Sequence, residues 1–112
     1  MLISKVFKFD SAHKLPYQSG KCSKLHGHTW KLVVTLEGEV KKEGIVIDFK
    51  ELKEIVNQRV IDKIDHEYLN DIMENPTCEN LLLWIEQQLA DVSGLKRLRL
   101  YESDASFCEI EL

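Results

Sequence analysis

From Thr29 to Glu37 the chain reads Thr-Trp-Lys-Leu-Val-Val-Thr-Leu-Glu, with Trp30, Leu32, Val34 and Leu36 at every second position. Successive side chains of an extended chain point to opposite sides, so these four share one face. A strand with one apolar face is stable only if something covers that face, and the rest of the sequence supplies candidates for the cover. Phe49, Leu52, Ile55, Val56, Val60 and Ile64 recur at helical spacing behind Asp48-Phe-Lys-Glu51, a capping-box pattern with Asp48 as the cap. This predicts a helix over 49–63. Asn75-Pro-Thr77 opens a second helix with Thr77 as its cap, Leu81, Leu82, Ile85 and Leu89 as its stripe and Gly94 at its end.

The other segments read as strands and loops. Leu2 to Ser11 is an imperfectly alternating strand. Residues 12–28 hold Pro16, Gly20, Gly27, three histidines and a cysteine, and read as a loop. Gly44 to Asp48 is a short extended piece, and Asp65 to Asn70 a loop. Arg97 to Glu102 is a strand with Leu98 and Leu100 inward, and a tight turn near Ser103-Asp104 returns the chain as Ser106 to Leu112. The order β-β-α-α-β-β predicts an α+β fold, an antiparallel sheet with two helices on one face. Without repeats or Pro/Gly-rich linkers, the 112 residues are expected to form a single domain, 1–112. The second face of that sheet and its edges would still need cover, which points to assembly.

Charge and composition narrow the partners. A net charge of −4 argues against nucleic acid or an anionic membrane as the main partner. The first ten residues lack the apolar core of a signal peptide, and no run approaches the length of a membrane span, so the expected location is the cytoplasm. Cysteines at 22, 78 and 108 are odd in number and form no C-x-x-C pair, which fits neither a disulfide framework nor a zinc ribbon.

Four features carry chemistry. His13 and His26-Gly27-His28 gather three of the four histidines in one segment. Three neutral imidazoles around zinc leave one tetrahedral position open, as catalytic sites do. His26 and His28, two apart, point to one side in extended backbone, and Gly27 would let the backbone pass close to the metal. The competing reading is of surface or core histidines. Cys22, flanked by Lys21, Ser23 and Lys24, is placed to act as a thiolate beside a cation, or else is a small buried hydrophobe, the reading that suits Cys78 and Cys108. In Asp65-His66 the carboxylate can orient the ring and raise its basicity, but neighbours in sequence do not automatically face each other; a helix-terminal His beside a turn-capping Asp is the alternative. Glu102 closes an apolar strand, either as a solvated strand end or as a carboxylate able to accept two N–H bonds from a guanidine-like edge.

Together these pieces resemble the 6-pyruvoyl-tetrahydropterin synthase family along nearly the whole chain. The residues that carry the resemblance are Phe9-Asp-Ser-Ala-His13-Lys-Leu, Cys22-Ser-Lys-Leu-His26-Gly-His28, Ile47-Asp-Phe49 with Leu52, Asp65-His66 with Leu69-Asn70, Asn75-Pro-Thr77 with Glu79, and Tyr101-Glu102. The spacing C-x-x-x-H-G-H is similar to the branch that makes 6-carboxy-tetrahydropterin for queuosine-type 7-deazaguanines. The chain is short for the family, with a compact loop between His13 and Cys22.

The resemblance implies a tunnelling fold, in which ββααββ subunits join their sheets into an oligomeric barrel, commonly a homohexamer built as a dimer of trimers with active sites between subunits. It implies Zn2+ on His13, His26 and His28, Cys22 with Asp65 and His66 as catalytic groups, and Glu102 holding the pterin with help around Thr77 and Glu79. The implied substrate is 7,8-dihydroneopterin triphosphate, converted by a lyase reaction to 6-carboxy-tetrahydropterin, acetaldehyde and triphosphate. Lys14, Lys21 and Lys24 are candidates for the triphosphate. Two alternatives stay open: 6-pyruvoyl-tetrahydropterin synthesis or a related pterin lyase activity, and a zinc-stabilised binding module in which Cys22 closes the metal site.

Overall fold

Two long strands set the frame. In the computed structural model, which describes residues 1–112, β1 (Leu2–His13) and β2 (His26–Glu37) run antiparallel over their whole length, from Leu2 opposite Glu37 to His13 opposite His26. β2 therefore begins three residues earlier than the alternation predicted, and β1 ends two later. His13, His26 and His28 are strand residues and not parts of a 12–28 loop. Histidines break the apolar pattern without breaking the pleat, so hydropathy alone ends both strands too soon.

The chain then curls through 38–48. The extended piece expected at Gly44–Asp48 is not a strand: Gly44, at φ +87, closes a turn in which its N–H donates to Lys41 O. α1 (Phe49–Val56) starts at Asp48, whose carboxylate accepts from the Lys50 N–H. The helix continues through a wider π-helical stretch, Asn57–Ile61, into a last turn, Asp62–Ile64. β3 (Glu67–Tyr68) follows, then α2 (Cys78–Gln88), capped by Thr77 Oγ1 accepting from the Asn80 N–H, and the hairpin β4 (Leu95–Ser103) and β5 (Ser106–Glu111).

The sheet order is β3-β1-β2-β4-β5. One expectation is corrected here. β3 lies parallel to β1, with Glu67 opposite Ser11 and Tyr68 opposite Ala12, so the sheet is mixed and not purely antiparallel. A two-residue strand has no periodicity to read, and only docking against β1 creates it.

The predicted stripe is buried. Trp30, Leu32, Val34, Leu36, Leu98 and Leu100 pack with Phe7 and Phe9 against Leu52, Val56, Val60 and Ile64 of the first helical stretch and Leu81, Leu82, Ile85 and Leu89 of the second. At the far end Gly94, at φ +80, passes so close to Glu37 that a Cβ there would lie 2.5 Å from the Glu37 carbonyl oxygen. Both helices cover the same face. The other face carries Lys31 over the Tyr101 ring and Arg99 paired with Glu109. No helix is long and apolar enough to cross a membrane. With a radius of gyration of 15.0 Å, against the roughly 13 Å usual for this length, the molecule is elongated along β1 and β2.

Candidate metal centre and the dyad beside it

The histidines extend the apolar stripe of β2 toward its start. His26 and His28 occupy the inward positions that precede Trp30, and His13 lies directly across from His26. The ring centroids of His13, His26 and His28 are 4.5–5.1 Å apart, and one ring nitrogen from each falls within 4.8 Å of the others. Trp30 forms the floor, edge-on to His13 and to His28. Gly27 faces the other side, where a Cβ would meet only Ser11 O at 3.8 Å. Ordinary contact of that kind does not by itself require glycine.

The tautomers follow from the partners. His13 Nδ1 is 2.7 Å from the Pro76 carbonyl oxygen, and His26 Nδ1 is 2.7 Å from that of Lys24. A carbonyl oxygen only accepts, so both Nδ1 atoms carry a proton and, in the neutral rings, both Nε2 atoms present lone pairs. Those two Nε2 atoms lie 2.9 Å apart. Facing lone pairs at that distance repel unless a proton or a metal cation stands between them. A proton would make one ring cationic, and burial opposes that: it pushes His13 below its usual pKa, outweighing the Pro76 hydrogen bond, and pushes His28 down despite nearby Glu102. His28 Nε2 is buried without a hydrogen-bond partner, 3.8 Å from Glu102 Oε1. An orphaned ring nitrogen, two converging lone pairs and carbonyl-anchored outer nitrogens suit a divalent cation, because ligating histidines usually donate their second N–H in this way.

Cys22 stands outside this group. It is exposed in a short 3₁₀ turn, Gly20–Ser23, tied back by the Leu15 N–H donating to the Cys22 carbonyl. The structure therefore does not bring it in as a fourth ligand.

Asp65 and His66 do face each other. His66 adopts φ +60, in the left-handed region, which turns its ring back so that Nδ1 lies 3.0 Å from Asp65 Oδ1. Three contacts to β1 fix the turn. The Asp10 N–H donates to Asp65 Oδ1 at 3.0 Å, the His66 N–H donates to Asp10 O at 2.6 Å, and Ser11 Oγ donates to Ile64 O. The Asp10 N–H, with the His66 ring beside it, holds the Asp65 carboxyl below its ordinary value. Asp10 and Thr29 point away from the helices, and Thr29 Oγ1 donates to Asp10 Oδ1 at 2.6 Å. With the Asp10 carboxylate close to both members, the dyad stands at the sheet edge on that side. His66 and His28 line a cleft of about 570 Å³ with Asp10, Thr29 and Tyr68.

Glu102 occupies an inward position of β4, beyond Leu98 and Leu100. It lines a second cleft, about 260 Å³, with Cys78, Glu79, Ser106, Phe107 and Cys108. Thr77 spends its hydroxyl on the helix cap. The sequence reading missed Pro76, Lys24 and Asn70 as supports. Asn70 clamps Lys14 from both sides, accepting from its N–H at 2.9 Å and donating to its carbonyl at 2.7 Å. The first two act through main-chain carbonyls, which leave no residue-type signal.

The comparisons with known proteins agree with this geometry. A protein of Archaeoglobus fulgidus, provisionally named 6-carboxy-5,6,7,8-tetrahydropterin synthase, is 41% identical over 98% of this chain and 95% of its own. Dihydroneopterin monophosphate aldolase of Pyrococcus furiosus is 44% identical over 92% of this chain and 90% of its own. The solved structure of Caenorhabditis elegans 6-pyruvoyl tetrahydropterin synthase superposes with a TM-score of 0.88 at 25% identity, covering all of this chain and 95% of that one. The sequence profile of the 6-pyruvoyl tetrahydropterin synthase family matches residues 2–112, and the chain belongs to that family.

Proposed function

We propose that the chain is a zinc-dependent 6-carboxy-5,6,7,8-tetrahydropterin synthase acting on 7,8-dihydroneopterin triphosphate. The observation that carries this is the His13–His26–His28 cluster with its orphaned His28 Nε2 beside Glu102, which sets a metal centre next to a carboxylate suited to a pterin edge. The name of the Archaeoglobus relative and the C-x-x-x-H-G-H spacing support the choice of product.

His13, His26 and His28 would hold the zinc, which when bound supplies Lewis-acid polarisation of a substrate oxygen. Glu102 accepts hydrogen bonds from the amino and ring N–H groups of the pterin, with Thr77 and Glu79 at the same cleft wall or beside it. Cys22, exposed and flanked by Lys21 and Lys24, removes the substrate C–H proton as a thiolate. His66, whose Nδ1–H is held by Asp65, keeps Nε2 free to take up or return a proton. In the proposed assembly Asp65 and His66 are offered to the Cys22 of a neighbouring subunit, as the family resemblance implies. The six-residue outer strand β5, paired only with β4, supports assembly through sheet edges, and the proposed assembly is a homohexamer working in the cytoplasm.

The Pyrococcus relative favours a second reading, aldol cleavage of dihydroneopterin monophosphate. Zinc-loaded protein is incubated separately with dihydroneopterin triphosphate and monophosphate, and products are read by mass. Formation of 6-carboxy-tetrahydropterin and acetaldehyde from the triphosphate is the expected result. A 6-pyruvoyl product, or turnover of the monophosphate alone, would replace the proposal with the corresponding alternative, and zinc bound without any turnover would make the chain a binding module.

A further inference from the structure

Cys78 and Cys108 are thirty residues apart, yet their sulfurs touch: Sγ to Sγ is 3.2 Å. Cys78 is the first residue of α2, and Cys108 lies on β5 opposite Leu100, whose carbonyl accepts the Cys78 S–H at 3.3 Å. Neither thiol is sealed in. Both line the 260 Å³ cleft that Glu79 and Glu102 also line.

We infer that Cys78 and Cys108 form a reversible disulfide when the protein meets a small-molecule disulfide. The separation of the sulfurs is already below van der Waals contact, so closure asks for a shift of about 1 Å at two side chains and no rearrangement of the fold. The reaction proceeds by exchange. The Cys108 thiolate attacks one sulfur of the small disulfide and expels one thiolate. Cys78 then gives its proton to water and attacks the Cys108 sulfur, expelling the second thiolate. The protein dithiol loses two electrons, and the small disulfide gains them as two thiols.

Burial pushes both thiols up, the Cys108 contact and then Glu102 adding to it at Cys78, and Glu79 and Glu102 at Cys108, so the resting pair is protonated and exchange is slow. Once formed, the bond is a covalent tie between two elements otherwise joined by packing. It pins the start of α2 to β5 across the cleft. On the reading that this cleft holds the pterin edge against Glu102, oxidation weakens pterin binding.

The test equilibrates zinc-loaded protein in glutathione buffers from fully reduced to fully oxidised, quenches in acid, alkylates, and maps peptides by mass. Free thiols are expected to fall from three to one, with a cross-link joining Cys78 to Cys108 and Cys22 left free. The loss should persist in Cys22→Ser and vanish in Cys78→Ser and Cys108→Ser. If those two variants do not fold, the wild-type peptide map decides alone. Three free thiols in fully oxidised glutathione, or a glutathione adduct that never resolves to the cross-link, overturns the inference. Fluorescence titration with a dihydropterin, on both redox forms, separates the two ideas: a cross-link that leaves pterin affinity unchanged upholds the disulfide and counts against the pterin reading of the cleft.

Discussion

Two histidine sites share one end of this sheet and are built in opposite ways. The His13–His26–His28 cluster lies on regular strand backbone, on the covered side, and its rings are fixed by main-chain carbonyls and by Trp30. The Asp65–His66 dyad lies on an irregular turn at the sheet edge, its histidine ring largely exposed, and is shaped by one left-handed residue and three contacts to β1. In the first set, burial makes His13 and His28 poorer proton acceptors, which favours a metal cation. In the second, an exposed ring faces a paired carboxylate. Metal binding and proton transfer need these opposite conditions, and one strand pair supplies both because its two sides differ in cover.

The sharpest test of this division removes a member of the covered set. His28→Ala is expected to weaken zinc binding by more than about 100-fold and abolish turnover, since even outer-shell changes cost 10–100-fold. Competition against a chromophoric chelator measures it. Retained zinc affinity would break the comparison. Asp65→Asn is the counterpart. Zinc should stay, while kcat falls by about 10²–10⁴-fold, the usual contribution of a positioned proton-transfer group; zinc content and kcat on the same sample separate the two sites.

Trp30→Ala tests how far the floor matters to the covered set. Opening the cavity should cost about 3–5 kcal/mol in denaturant unfolding and loosen zinc, leaving the dyad turn intact. Acid titration of the metal-free protein then separates the sites by pH. His13 and His28 hold a proton less readily folded than unfolded, so the unfolded chain takes up more protons once the pH drops below the usual 6.5. Stability is full above 6.5 and declines below it. The Asp65 contribution is present above the usual 3.8 and is lost only as the pH falls through its lower folded value; Asp65→Asn should shrink that second decline, to which the Arg59-paired Asp91 also contributes, and leave the first unchanged. The smallest effect concerns the turn. His66→Gly should be more stable than His66→Ala by about 1 kcal/mol, because only the first is unstrained at φ +60; thermal unfolding of the pair reads it.

The two sites also differ in how much of them could be read from residues. The triad was legible because two histidines two apart on a strand must share a side, and a third in the facing strand can meet them. The dyad was legible only as a possibility, since nothing in Asp65-His66 announces a positive φ.

By itself the sequence determined the four long strands and two helices in their order, though not the short β3 between the helices, and with them the apolar face of β2, both helix N-caps and the identity of the metal-ligand candidates. Each of these is local: a period, a cap or a short spacing. Tertiary structure alone decided that β3 pairs parallel with β1, that Asp10 holds the dyad, that Pro76 orients His13, and that Cys78 meets Cys108. These depend on backbone groups or on contacts across thirty or more residues, and such contacts exist only once the helices settle onto the sheet and bring distant segments into register.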